Sequence, residues 1–161
     1  MPTNPTPETD ETCWSAWFDG ASLPNPGKIG IGVLLIAPDG RRIEKSSPTG
    51  LQGCNNEAEL LAFCATLELA RSNGVQKMVV HGDSDFAIRH LTGAESTAVP
   101  HLANLVQQAR QGIDEFTDVQ LKWIPRHRNQ DADRLSRQAL GLKQKPAETP
   151  GKSGRKQTRG K

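Results

Sequence analysis

No stretch of this 161-residue chain stays apolar for long enough to cross a membrane. The first twelve residues, MPTNPTPETDET, lack the apolar core of a signal peptide. Both absences lead to the expectation of a cytoplasmic protein. Cysteine is scarce. Cys13, Cys54 and Cys64 are odd in number and form no Cys-x-x-Cys pair, which argues against a disulfide framework or a zinc site and suits reduced thiols. No His-x-His, Cys cluster or His-Glu-x-x-His is present to hold a soft metal. Internal repeats are absent too.

What remains is the length of one ordinary domain, able to bury a core and expected to act as a monomer. The overall charge of +2 is unevenly spread. Residues 143–161 carry seven Lys and Arg against Glu148 alone, a net +6, which leaves −4 on residues 1–142. Such a basic, Pro/Gly-rich segment has almost nothing apolar to bury and is expected to be disordered. It is either a solubilising tail or a loose electrostatic tether to nucleic acid. The division is a disordered tail over 1–12, a folded domain over 13–142 and a disordered basic tail over 143–161.

The domain is organised around WSAWFDGASLPNPG, residues 14–27. An apolar run stops at Asp19-Gly20, a Pro/Gly-rich loop follows, and a second apolar run begins. The pattern predicts a strand over Trp14–Asp19 with a carboxylate at its last position, and a second strand over Gly30–Ala37. Taken alone, Asp19-Gly20 also reads as turn chemistry. Pro38-Asp39-Gly40 turns the chain into a third strand, Arg41–Thr49, antiparallel to the second. Asn55–Ser72 is a helix with little polar surface, closed by Asn73-Gly74. The row Glu59, Ala62, Phe63, Thr66, Ala70 puts one carboxylate at the end of an apolar face. Glu59 also fits a capping box, Asn56-x-x-Glu59, and one of Asn55 and Asn56 is expected to cap the helix.

A strand over Gln76–Gly82 ends in Gly82-Asp83-Ser84, and a helix runs from there to about Leu91. An amphipathic helix follows, with Leu102, Leu105, Val106, Ala109 and Ile113 on one face. Thr117–Ile124 alternates Val119, Leu121 and Trp123 as a strand, and residues 125–129 form a loop. A last helix, Asp131–Leu142, buries Ala132, Leu135 and Ala139. The order β-β-β-α-β-α-α-β-α is an α/β arrangement. A three-strand antiparallel meander adjoins two parallel strands, five strands in all, with helices on both faces. If the first and fourth strands are parallel neighbours, Asp19 and Asp83 share one sheet edge, where α/β folds place ligands. Glu59 reaches that edge from the buried helix and Asp133 from the last one. Four converging carboxylates repel unless cations neutralise them. All-oxygen ligation points to two Mg²⁺ ions, with Mn²⁺ as a substitute.

These residues resemble the type 1 ribonucleases H. The resemblance covers residues 14–141 and rests on DGASLPNPGKIGIG (19–32), NNEAEL (55–60), GDSDF (82–86) and PRHRNQDADRLSR (125–137). It implies a ribonuclease H-like fold and hydrolysis of the RNA strand of RNA–DNA hybrids, leaving 5′-phosphate and 3′-hydroxyl ends. The family's metal-binding carboxylates would fall on Asp19, Glu59, Asp83 and Asp133. Asp131 rivals the last of these, and the family's Ala-Asp-x-Leu spacing selects Asp133. His127 resembles the family's mobile histidine near the leaving group; otherwise it is a loop histidine touching phosphate beside Arg126 and Arg128. Asn55 and Asn56 match positions that bind the RNA 2′-hydroxyl, the discriminating handle of RNA. Asn25, Gly27, Ser84 and Arg126 join them as substrate contacts. Cys54 stands where the family often has a Thr in a DNA-phosphate pocket. Leu91–Pro100 is too short to hold the basic, Trp-bearing insertion of many members.

Exonucleases of this fold carry Asp-x-Glu on the first strand, and here the second position is Ala21. Transposases and integrases usually end the carboxylate set with Glu and add separate DNA-binding domains. The remaining alternative is a catalytically weak or inactive hybrid-binding module, which predicts a broken carboxylate set.

Overall fold

The computed structural model describes residues 11–142, and the two tails expected at 1–12 and 143–161 lie almost wholly outside the described residues. Five strands form one mixed sheet in the order β3-β2-β1-β4-β5. They are β1 (Cys13–Leu23), β2 (Gly27–Ile36), β3 (Arg42–Gly53), β4 (Lys77–Gly82) and β5 (Asp118–Trp123). The helices are α1 (Asn55–Ser72), α2 (Asp85–Leu91), α3 (Pro100–Ile113) and α4 (Gln130–Ala139). The sheet is the expected one: β1, β2 and β3 are antiparallel, while β4 pairs parallel to both β1 and β5. The 125–129 loop holds one turn of 3₁₀ helix, Arg126–Arg128.

The core lies between the sheet and α1. Ala16 and Phe18 of β1, Ile29, Ile31, Val33 and Leu35 of β2, and Met78 and Val80 of β4 are buried in it. The two-residue spacing places each set on one face of the pleat. From α1 come Leu60, Ala62, Phe63, Thr66, Leu67 and Ala70, all buried. Phe63 meets Phe18 edge-on, with ring centroids 5.5 Å apart. The helix is apolar nearly all round because α3 packs on its far side. α4 lies against the other face of the sheet, on β1, β2 and β3.

One correction bears on the site. Asp19 is not the last residue of its strand, for β1 runs on to Leu23 and pairs with β2 as far as Leu23↔Lys28. The parallel ladder to β4 stops earlier, at Phe18↔Gly82. Asp19 is therefore the first residue of β1 without β4 beside it. A strand's length is set by its partner as much as by its own residues, and β2 continues where β4 turns away. The last helix also ends early, at Ala139. Gly141 takes φ +77°, its N–H donates to the Gln138 carbonyl, and the Leu142 N–H donates to the Arg137 carbonyl, a Schellman closure.

Neither asparagine caps α1 with its own side chain. The N-cap is Cys54, without a side-chain capping bond. The neighbouring loop supplies the partner instead: Asn25 Oδ1 accepts from the Asn55 N–H at 3.0 Å. The capping-box alternative for Glu59 also fails, because its carboxylate bonds to β1 and not to the helix start.

Candidate active site

Two glycines let the helices come close enough to β1 and β2 to build the site. A Cβ on Gly20 would lie 2.1 Å from the Ala58 carbonyl oxygen, and one on Gly32 would lie 2.4 Å from the Ala132 carbonyl oxygen. Real side chains never sit so near backbone atoms. With glycine at both places, α1 and α4 press onto opposite faces of the sheet beside Asp19. Gly20 then donates its N–H to Glu59 Oε1 at 3.2 Å. From the other face, Ser136 of α4 donates its hydroxyl to Asp19 Oδ2 at 2.6 Å.

Asp83 follows the last residue of β4. Asn129, fully buried at the start of α4, donates its amide to Asp83 Oδ2 at 3.0 Å and to the Phe18 carbonyl at 2.9 Å. One side chain thus ties the ends of β1 and β4 to α4. As a result Asp19, Glu59 and Asp83, 24 to 64 residues apart in sequence, each offer an oxygen within 4.8 Å of the others. The fourth carboxylate, Asp133, stands outside this group, in the first turn of α4. It is near enough for its charge to act on both Asp19 and Asp83.

The electrostatics follow from burial and crowding. Asp19 is only 7% exposed. Loss of solvent, then the charges of Asp83 and Asp133, push its carboxyl up to about 7 against the pull of the Ser136 hydroxyl and Arg126. Burial raises Glu59 well above the usual carboxylate range, and Asp19 and Asp83 add to it. Burial also raises Asp83, opposed by the Asn129 amide and Arg126. Three such groups cannot all ionise without a compensating positive charge. Arg126 is the nearby cation acting on all three, yet it forms no hydrogen bond or ion pair with them. The donor set is carboxylate oxygen throughout, which is what hard divalent cations take. The residues present fit such ions.

The remaining residues expected at the site fall around it. His127 lies in the exposed 3₁₀ turn, and its ring has no partner among the described residues. Asn55 uses its Oδ1 to accept from the Ser22 N–H at 3.3 Å, while the side chain of exposed Asn56 has no partner among the described residues. Asn25 is occupied by Asn55, and the Gly27 N–H donates to Ser22 Oγ. Ser84 caps α2, accepting from the Ala87 N–H at 3.0 Å and keeping its hydroxyl proton to donate. Half-buried Cys54 stands at the start of α1.

Against known proteins, residues 17–139 match the family model described as reverse transcriptase-like. The ribonuclease H of Roseobacter denitrificans is 33% identical over 147 residues, covering 78% of this chain and 93% of that protein. The chain belongs to the type 1 ribonuclease H family. Ribonuclease HI of Halobacterium salinarum is 37% identical over 125 residues, 78% of this chain. The match spans 63% of that relative's length, just under two thirds. The crystal structure of the same archaeal RNase H1 superposes with a TM-score of 0.77 at 36% identity, covering 80% of this chain and 98% of that one. LC11-RNase H1, solved in complex with an RNA/DNA hybrid, gives 0.73 at 27% identity, with 80% and 96% covered. The ribonuclease H family is metal-dependent, and the carboxylate group here is of the kind that holds a metal.

Three site residues were not foreseen from the sequence. Ser136 is small, polar and three residues beyond Asp133, so it shares that residue's side of α4. That spacing was the one available sign of its bond to Asp19. Asn129 could be placed as a helix start but not as a bridge to two strands. Trp123 continues the alternation of Val119 and Leu121, yet at the rim of the sheet it stays 52% exposed. Its indole N–H donates to the Asp83 carbonyl oxygen at 3.2 Å.

Proposed function

We propose that this chain is an endoribonuclease that hydrolyses the RNA strand of RNA–DNA hybrids with divalent cations, leaving 5′-phosphate and 3′-hydroxyl ends. The observation that carries the proposal is the meeting of Asp19, Glu59 and Asp83 within 4.8 Å on a fold of the ribonuclease H family. All four expected carboxylates are present in the chain, which speaks against the inactive hybrid-binding module.

Asp19, Glu59 and Asp83 would hold the cations, two Mg²⁺ or Mn²⁺ in their place, with Asp133 completing the set from α4. The chemistry supplied there is acidification of a water and stabilisation of charge on the departing 3′-oxygen. The chain's own residues do the rest. Ser136 and the Gly20 N–H fix the rotamers of Asp19 and Glu59, and Asn129 fixes Asp83. Arg126, close to the carboxylates and without an ion pair among the described residues, attracts the scissile phosphate. His127, on an exposed turn, delivers a proton to the 3′-oxygen and helps the product leave. Asn56 and the Asn55 amide, both at the start of α1, read the 2′-hydroxyl. Asn25 and Gly27 shape the loop beside them, and Ser84 offers its hydroxyl proton to a phosphate. Cys54 is a weak donor in the DNA-phosphate position.

The chain is further inferred to act as a monomer in the cytoplasm, where Cys13, Cys54 and Cys64, none of them in a disulfide, stay reduced. The test is cleavage of an end-labelled hybrid beside double-stranded DNA, double-stranded RNA and single strands, in Mg²⁺ and in EDTA. Cutting of the hybrid's RNA strand alone, abolished by EDTA, is the expected result. Cutting of duplex DNA, or of nothing, would overturn the assignment.

A further inference from the structure

Burial in the core does not account for Trp123. A solvent-facing edge strand usually ends in charge, not in the largest apolar side chain. Here the last residue of β5 is a tryptophan, 52% exposed, while Trp14 is buried. The ring is not loose. Its N–H is held by the carbonyl oxygen of Asp83, the residue whose carboxylate completes the close trio. The Ile124 N–H donates to the Gly82 carbonyl at 2.9 Å, fastening the same chain segment to the end of β4. The indole is therefore set at the rim of the site in one orientation, its apolar body in water and its polar edge satisfied.

Its position along the sheet edge is informative. The parallel ladders of β4 with β1 and with β5 stop at the same level, Phe18 and Trp123 both lying opposite Gly82. Adjacent strands lie ~4.8 Å apart. Asn55 and Asn56 flank the carboxylates from the β1 and α1 side. Trp123 flanks them from the β5 side, one strand beyond Asp83. A strand of nucleic acid lying across the carboxylates would pass the asparagines on one side and the indole on the other. Arg126 follows three residues later.

We infer that Trp123 is a substrate-binding residue whose indole face packs on the ribose–phosphate backbone of the RNA strand just beyond the scissile bond. The inference rests on the hybrid-cleaving function proposed above. The paired bases of a hybrid are stacked on one another, so a ring at the duplex edge meets sugar. Trp123 thereby supplies an aromatic contact in a chain whose segment between α2 and α3, residues 92–99, holds no aromatic residue.

The experiment compares the full chain with Trp123→Ala and Trp123→Phe by hybrid cleavage kinetics and by hybrid titration of indole fluorescence with iodide present. Removing an aromatic platform for nucleic acid costs about five- to tenfold in affinity at the least. Trp123→Ala is expected to raise KM by that factor with kcat within about twofold, while Trp123→Phe recovers most of the loss. In the full chain, hybrid should shield the exposed indole from iodide, a change that Trp123→Phe removes. A parent-like KM in both variants, with iodide quenching unaffected by hybrid, would overturn the inference and leave the proposed function standing. Equal losses on single-stranded RNA would assign base stacking instead and also overturn it. If the full chain neither binds nor cuts hybrid, the proposed function falls and this inference with it. Should Trp123→Ala fail to fold, the shielding measurement on the full chain against Trp123→Phe decides alone.

Discussion

Replacing Asp19 by asparagine should stabilise the metal-free protein at neutral and alkaline pH. Asp19 is nearly buried among like charges, and its carboxyl is pushed from 3.8 to about 7. The folded state thus holds a proton that the unfolded chain gives up near its ordinary value. The contribution to stability is full below about pH 4 and is lost as pH rises through about 7. Three units at about 1.4 kcal/mol each set an upper limit of about 4 kcal/mol. Asparagine has the same shape, keeps an oxygen for the Ser136 hydroxyl, and carries no charge to be lost. Urea unfolding in EDTA from pH 4 to 8.5 gives the difference between the two proteins directly. The two should be close at pH 4. At pH 8 the variant should be the more stable by about 2–4 kcal/mol, and that gap should close when Mg²⁺ is added, since the cation stabilises only the folded parent. A difference independent of pH, or a parent that is the more stable at pH 8 in EDTA, would refute the crowding argument.

Other outcomes follow from the same structure. His127→Ala should lower kcat more than about tenfold, or ~1.4 kcal/mol of barrier, with little change in melting temperature, because the exposed ring makes no hydrogen bond or ion pair among the described residues; a smaller drop in single-turnover cleavage would make it an accessory. Gly32→Ala should cost about 1–3 kcal/mol in urea unfolding and slow cleavage, since its methyl group would drive α4, with Ser136 and Asp133, off β2. Ser136→Ala should leave the fold intact but raise the Mg²⁺ concentration needed for half-maximal cleavage, as Asp19 loses its orienting hydroxyl. Truncation after Leu142 removes a net charge of +6 and should raise KM and flatten the salt dependence of hybrid binding; equal KM in both chains would show that the tail is idle.

Much of this was legible because the signals were local. α1 runs over the predicted residues, Asn55–Ser72, since its apolar row and the Asn73-Gly74 stop are both written in the chain. Gly74 takes φ +73°, as such a stop requires. The β1-β2-β3 meander followed from the tight turn at Pro38-Asp39-Gly40, and the parallel seat of β1 beside β4 from the crossover through α1. What was missed depends on distant partners. The overrun of β1 past Asp19 is decided by β2, which keeps pairing after β4 has ended. The cap of α1 comes from Asn25, thirty residues away, so no inspection of Asn55 or Asn56 alone could find it. Ser136 and Asn129 are ordinary polar residues until α4 is pressed onto the sheet at Gly32. Asp131, the rival to Asp133, is drawn off by Arg42 and Arg134, which pair with it at 3.4 Å each. Those partners come from β3 and from the helix itself.

The central claim is that Asp19, Glu59 and Asp83 form a shared seat for divalent cations. Anomalous diffraction from crystals grown with Mn²⁺ and a hybrid, with cleavage suppressed by a non-hydrolysable linkage at the scissile position, tests it most directly. Strong peaks ~2.0–2.3 Å from carboxylate oxygens of all three residues are expected. Well-ordered carboxylates with no Mn²⁺ between them, at concentrations that support cleavage, would contradict it.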